Sequence, residues 1–419
     1  MRRYCSLLFL SILMSVTAER VSDHHHLVRI LVRGSQRYSE ADLVRATGLI
    51  VNSQVTVDDL KSAAGRLGNS GLFTSVQYLY KPAIGSDGIE ADFDLVDAKQ
   101  FLPASYENFV WFTPQELQAA LHNAMPLYNG ILPTSGSMPD DVVAALSKLL
   151  ASRNLPSEVS YILQAEIGKP PKAFLFKVEN ANLKIRDTIF SGAGHLDPGL
   201  LRQAVAPLKN TEYLYSHIES FLYYRVNPLY LQRGYLKAAV AGIKPKAGEN
   251  GAVDLDVALT EGEQYLLGSY AWTGNKAIST EELSKHLHLK PNEPVDGVKL
   301  AQDLEEDRKL FGKFGHEAAT VTPVPAFSTG SVSYKFEVAE GELYRMGKLE
   351  VIAPEPQRQR IQSAWKLQEG ATYDNTYIKQ LMLQFKPDVV GKKWEWTAHE
   401  HIDDASKVVN VRLEVKATN

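Results

Sequence analysis

The residues best suited to chemistry are the histidines, and their spacing decides what they can do. "SDHHHL" sets His24, His25 and His26 side by side near the start, and "HEH" sets His399 and His401 near the end. Adjacent imidazoles bind divalent ions, but a defined site needs ligands held in tetrahedral geometry by rigid elements. A run of three near one end of the chain reads as a solvated tail. His286 and His288 stand two apart in "KHLHL", a spacing that cannot share a helix face, and no role is assigned to them. Walker, HExxH, GxSxG and GxGxxG patterns are all missing, and "GAGHLD" at Gly192 has only two of the three glycines a dinucleotide fingerprint needs. No catalytic, cofactor-binding or metal residue is therefore assigned, and no cofactor is expected.

The opening "MRRYCSLLFLSILMSVTA" places two arginines before an apolar run and closes on small residues, the order of a secretory signal cleaved after Ala18. An exported protein is expected. The apolar run is shorter than the ~20 residues a spanning helix requires, and no later segment spans either. Cys5, the single cysteine, falls inside this leader. Disulfides, thiol catalysis and cysteine-ligated metals are thus excluded from the exported chain, whose stability must come from packed cores. Loss of Arg2 and Arg3 takes the formal charge from -4 to -6, which invites no nucleic acid. At 419 residues the chain exceeds what one hydrophobic core usually serves, so several domains are expected.

Self-similarity supplies them. Gly34 is followed by Tyr38, Ser39 and Leu43, Gly274 by Ile278, Ser279 and Leu283, and Gly192 by Leu196, Asp197 and Leu201 at the same offsets. Asn108, with Phe112, Thr113 and Leu117, is a fourth copy in which asparagine stands as the next most permissive residue for the turn. Each copy reads as a strand, a permissive turn and a Ser/Thr/Asp helix cap, strengthened by Glu282, Glu116, Pro114 and Pro198. The far end of the unit is a strand of strict period two, such as Ile89-Ala91-Phe93-Leu95 or Val332-Tyr334-Phe336-Val338. Taking Leu95, Val178, Leu259, Val338 and Val415 as equivalent, the unit recurs five times at spacings of 83, 81, 79 and 77 residues. Between these marks lie two helical stretches, the second closed by Gly71, Gly234 or Gly315 in a left-handed cap, with Asn154 substituting in the second copy. A short strand follows each cap: "FTSVQYLY", "YLKAAVAGI", "HEAATVTPV".

The order strand, helix, helix, strand, strand predicts an α+β fold of tandem two-layer units, with helices on one face of a three-stranded mixed sheet. The expected boundaries are a signal at 1–18 and units at 27–98, 101–180, 183–263, 265–342 and 344–417. Short linkers such as "TEGEQY" predict semi-rigid joints in an elongated array.

This order and these residues resemble POTRA (polypeptide-transport-associated) domains, the periplasmic modules of outer-membrane barrel-assembly factors and two-partner secretion transporters. "FSGAGHLDPGLL … YLQRGYLKAAV … DVALTEGE" and "WTGNKAISTEEL … LFGKFGHEAATV … FEVAEGE" carry the resemblance best. The second copy lacks both glycines, and the fifth, with "LEVIAPEPQRQRI", lacks the turn glycine. Most relatives continue into a membrane barrel. Here the last strand, "VRLEVKATN", leaves no room for one, so no pore or insertase is expected.

The resemblance implies a non-enzymatic periplasmic scaffold or holding chaperone in outer-membrane protein assembly or export, associated with the outer membrane. It would bind extended segments by β-augmentation along the second strand, at Val76, Tyr78 and Tyr80, at Ala238 and Val240, and at Ala319 and Val321. The implied partners are outer-membrane β-barrel proteins or their precursors, a separate barrel subunit, or periplasmic lipoproteins. The alternative is an exported structural or surface-binding protein that kept the units without the assembly role. Tyr213, Tyr215, Tyr223, Tyr224, Tyr230 and Tyr235 in the third copy read mainly as packing residues; Trp394 and Trp396 read as buried, Trp111 and Trp272 as packed at unit edges.

Overall fold

A computed structural model describes residues 24–355, 357–384 and 393–418, so the leader expected over 1–18 lies outside the described residues. The chain gathers into two compact units: one holds the first two sheets, the other holds the last two and most of the third. In the first unit, β1 (His25–Arg33), α1 (Glu40–Thr47), β2 (Gln54–Val55), α2 (Val57–Asn69), β3 (Phe73–Pro82) and β4 (Ile89–Asp97) build a sheet of order β2-β1-β4-β3. Next, β5 (Phe101–Tyr106), α3 (Pro114–Ala124), β6 (Ile131–Pro133), α4 (Met138–Ser152), β7 (Val159–Gln164) and β8 (Ala173–Val178) repeat it as β6-β5-β8-β7.

The third sheet, β10-β11-β9, takes β9 (Lys184–Ser191), β10 (Ala239–Ala247) and β11 (Ala252–Thr260), with α5 (Pro198–Val205), α6 (Tyr215–Arg225) and α7 (Asn227–Leu231) between β9 and β10. In the second unit, β12 (Leu266–Thr273), α8 (Thr280–Ser284), α9 (Gly297–Lys313), β13 (Thr320–Ser328) and β14 (Ser331–Ala339) give the order β12-β14-β13. Last come β15 (Arg345–Ile352), α10 (Gln357–Ala364), α11 (Tyr377–Gln384), β16 (Lys393–Asp403) and β17 (Val408–Thr418), ordered β15-β17-β16.

The last strand of each set lies in the centre of its sheet. In the first, second, fourth and fifth sheets it runs parallel to the first strand, a connection the intervening helices make possible, and antiparallel to the strand just before it. Paired on both sides and covered by helices on one face, this strand shows the cleanest alternation of buried and exposed residues, as in β14 with Val332, Tyr334, Phe336 and Val338 inward. A short fourth strand joins the first two sheets. It reduces to single bridges, Lys184 to Glu212, Leu266 to Pro294 and Arg345 to Thr372, in the others, and two or three residues are too few to leave a periodic signature.

Two contacts recur where the first strand turns into its helix. Gly34, Gly192 and Gly274 have φ of 90°, 78° and 86°, and a Cβ on any of them would overlap the carbonyl oxygen of Leu95, Leu259 or Val338, the residues that close the period-two pattern. Asn108 departs from its expected role. It has no left-handed backbone; its buried amide instead donates to the Val178 carbonyl (2.9 Å) and accepts from the Val178 N–H (2.8 Å). A side chain does in the second sheet what backbone contact does in three others. The second contact comes from an acid two residues beyond the same carbonyl. Asp97 accepts from Gln36 N–H, Glu261 from Gly194 and His195 N–H, and Glu340 from Lys276 and Ala277 N–H.

The energetic weight of these turns is testable. Gly274→Ala joins a strained φ to a collision with backbone and should lower the stability of the second unit by at least about 1–3 kcal/mol in urea unfolding. Gly65→Ala, in the α2 interior with open space beside it, should raise the first unit's stability by about 0.5–1 kcal/mol. Equal effects of the two substitutions would remove the turn from its proposed place.

Candidate functional site

The candidate polypeptide-binding strands are all sheet margins, but they are not equivalent. Val76, Tyr78 and Tyr80 lie on β3, an outer strand whose only proline, Pro82, is its last residue. Val76 and Tyr78 lean onto the core while Tyr80 and Leu79 are exposed. Val240 lies on β10 and Val321 on β13, also outer strands.

Ala238 and Ala319 require correction, because neither is in a strand. After Gly234 and Gly315 (φ 85° and 84°) the chain makes one more turn, in which Ala238 N–H bonds Tyr235 and Ala319 N–H bonds His316, and pairing begins only at Ala239 and Thr320. Ala319 is 3% exposed and belongs to the core.

Proline separates these margins further. In β13, Pro323 and Pro325 stand opposite Phe336 and Tyr334 of β14. Proline is tolerated inside a strand only where its missing N–H would face away from the ladder. The outer side of β13 therefore lacks two donors that an added strand would need. β10 carries one such proline, Pro245, whereas β3 before its last residue, β7 and β16 carry none. The margins of β7, with Ile162 and Leu163 exposed, and of β16 escaped the sequence reading; absence of proline was the signal available for them.

Gly71, Gly234 and Gly315 do more than cap helices. Tyr265 N–H donates to the Gly234 carbonyl and Tyr344 N–H to the Gly315 carbonyl, each at 2.8 Å, so the residue that ends one repeat's second helix receives the first strand of the next. A Cβ on Gly71 would overlap the backbone of Ser135 and Gly136. Within the first unit, a groove of about 570 Å³ lies beside this contact, lined by Ala46, Leu67, Met125, Leu127, Met138 and Lys148.

The histidines fall differently from expectation. His25 and His26 open β1, paired with Val55 and Gln54, and do not form a tail; His399 and His401 lie on β16. Among the described residues no group of three or more His, Cys, Asp or Glu is arranged to hold a metal ion. His286 and His288 sit in the segment after α8, where each meets a carboxylate of α9: His286 Nδ1 to Asp307 Oδ1 at 2.7 Å, His288 Nδ1 to Asp303 Oδ1 at 3.0 Å. His288 N–H and Lys299 also bind Asp303. Asp303 and Asp307 are four apart on the stripe that buries Leu300, Leu304 and Phe311, so two acids at core positions of a helix marked this clasp in advance. Burial pushes the Asp307 carboxyl up to about 6, against the pull of His286 and with help from Asp303 and Glu306. Glu261 goes the other way. Burial would raise it, but the N–H groups of Gly194 and His195, the Tyr230 hydroxyl and the His195 ring outweigh burial and hold it below the usual range.

Tyr213, Tyr230 and Tyr235 are buried, while Tyr215, Tyr223 and Tyr224 are exposed. Trp272 is not at an edge but in the core, 4.8 Å from the Phe336 ring. Trp111 and Trp396 are partly buried against their cores, and the Trp394 side chain lies outside the described residues. No helix among the described residues is long and apolar enough to cross a membrane.

Because the Asp307 value is raised by folding, its ionised form weakens the fold. The stabilisation is complete below the unfolded value near 4 and is lost as pH rises through about 6. Asp307→Asn should therefore be more stable than the parent at pH 8, by roughly 1–3 kcal/mol, with the gap narrowing toward pH 5 in urea titrations. A gap independent of pH would contradict this.

Residues 265–341, which hold the fourth sheet and its helices, match the family model described as POTRA, surface antigen variable number repeat. Over 125 residues the chain is 30% identical to a Treponema pallidum (strain Nichols) protein described as "Putative outer membrane protein assembly factor", covering 28% of this chain. The chain spans about 15% of the length of that curated relative. Among solved structures, Haemophilus influenzae BamA POTRA3-5 aligns with 56% of this chain and 96% of its own at a TM-score of 0.42 and 18% identity. CdiB from Escherichia coli aligns with 54% of this chain and 36% of its own at a TM-score of 0.22 and 14% identity.

Proposed function

We propose that this chain is a non-enzymatic, exported scaffold that holds extended polypeptide segments during outer-membrane protein assembly or export. The observation that carries this reading is the outer position of β3, free of proline before its last residue, set beside the proline-interrupted β13. A strand margin offers N–H and C=O groups to any extended chain, so affinity comes from backbone and demands little of sequence. The match of residues 265–341 to POTRA and the assembly role named for the Treponema relative support the choice of substrate: precursors of outer-membrane barrels, with a barrel subunit or periplasmic lipoproteins as further partners. Catalysis plays no part in this reading, because a strand margin binds through main-chain groups and brings no nucleophile, base or metal to bear. The family description as a surface antigen repeat favours a second reading, an exported surface-binding protein, and recovery at the cell surface instead of the periplasm would select it.

Leu79 on β3 and Val324 on β13 are comparably exposed, at 57% and 42%, which makes them a matched pair for photocrosslinking. With a urea-unfolded outer-membrane barrel protein added to the purified chain, crosslinks from position 79 should exceed those from 324 several-fold, and prefolding the barrel protein should abolish them. Equal yields at the two positions, or none at either, would defeat the strand-margin mechanism.

A further inference from the structure

We propose that the joint between the fourth and fifth sheets is a proton-operated hinge, closed when Glu317 carries a proton and loosened when Glu317 is ionised. This is separate from strand binding and holds whatever the chain carries.

At the joint, the Leu343 and Thr372 side chains lie against Gly315. Tyr344 N–H donates to the Gly315 carbonyl (2.8 Å), Asn375 N–H reaches the Gly312 carbonyl, and Asn375 Nδ2 donates to Glu317 Oε2 (3.2 Å). Gly312 has no side chain because the Asn375 amide fills the space a Cβ would take. Among the described residues the other carboxyl oxygen, Glu317 Oε1, lies buried with no hydrogen-bond partner, as does His316 Nδ1 beside the same joint. A buried polar atom left unpaired weakens the arrangement that buries it, and an ionised one does so far more than a neutral one.

The groups facing Glu317 sharpen this. Glu400 of β16 and Asp374 disfavour its charge, while Arg308 of α9 and the Asn375 amide favour it. Burial raises Tyr373 first, followed by its hydrogen bond to Glu400 and then by the charges of Glu400, Glu317 and Asp374. Burial is likewise the main cause that moves the Glu317 carboxyl above its usual range, with Glu400 next among the causes that raise it. When the joint opens, water reaches Glu317 and its value returns toward the ordinary one near 4.3. The closed joint therefore binds the proton more tightly. Closure is fully favoured below that ordinary value and is lost as pH rises through the raised one, by at most about tenfold per pH unit.

The joint between the third and fourth sheets provides an internal comparison. It has the same backbone bond, Tyr265 N–H to Gly234, but is completed by Gln264 Nε2 on the Arg233 carbonyl and by Lys237 stacked over the Tyr265 and Phe327 rings, 5.2 and 4.1 Å from their centres. Leu231 and Leu236 pack against Gly297 there. None of these groups is a carboxylate or an imidazole.

The test uses the full chain in a Cys5→Ser background with nitroxide pairs at Lys335→Cys and Glu350→Cys across the fourth and fifth sheets, and at Asp187→Cys and Lys335→Cys across the third and fourth. Pulsed electron resonance should show the first distance distribution narrowing at least twofold between pH 8 and pH 4.5 while the second stays constant. Glu317→Gln should be narrow at both pH values. Glu400→Gln, which removes a like charge, should shift the transition to lower pH. A first pair unresponsive to pH, a Glu317→Gln variant that still responds, or a control pair that narrows equally would each overturn the hinge.

Discussion

Four of the five sheets hang on one contact, the carbonyl at the end of the central strand closing against the turn that leaves the first strand. Leu95, Leu259 and Val338 present that carbonyl to a glycine with no Cβ to obstruct it, and Val178 presents it to the Asn108 amide. The constraint is steric before it is energetic. The parallel pair must stay in register up to the point where the helix begins, and any side chain on the glycine would wedge it apart. The acid two residues later ties the same turn by its N–H groups. That placement explains why "EGE" recurs as a motif: its first glutamate is a clamp on backbone, and in the third sheet it is buried and held ionised by donors alone.

The joints reuse this economy. One glycine ends a helix and, by its free carbonyl, starts the next sheet. A backbone-to-backbone joint sets the spacing of the repeats but leaves the surrounding side chains free to diverge, and they have. A lysine lies over two rings at the Gly234 joint, while an acid with one unpaired oxygen lies at the Gly315 joint. Similar geometry thus supports joints of different chemical sensitivity.

Sheets of this order leave the second strand unpaired on one side, and the protein treats those margins unequally. Pro323 and Pro325 remove donors from β13, a recognised way of protecting a strand edge from association, while β3, β7 and β16 keep theirs. Under the proposed function, a scaffold that holds one segment without aggregating through every sheet gains from this inequality. Leu79, Ile162 and Leu163 are exposed on these strands, and under the proposed function they would meet apolar side chains of an incoming segment.

How much of this was legible follows from what leaves a trace at short range. The central strands, the helix caps at Ser39, Thr113, Asp197 and Ser279, and the glycine turns could be read from sequence, because alternation, capping and left-handed backbone are local demands on residue type. The start of β10 and β13, Ala319 in the core, and the short strands Gln54–Val55 and Ile131–Pro133 could not, since a turn or two paired residues impose no period. The glycines Gly268 and Gly347 fall where β12 and β15 shift register against their partners, a feature defined only by the neighbouring strand. Asn108 was placed correctly and explained wrongly: a permissive backbone and a bridging amide look alike until Val178 is brought 70 residues back to meet it. By itself the sequence determined the repeated unit, because each unit must satisfy its own helix ends and bury its own strand. Tertiary structure alone decided which acids clamp, which margins stay open and which joint buries a carboxyl group, because those depend on atoms that only folding brings together.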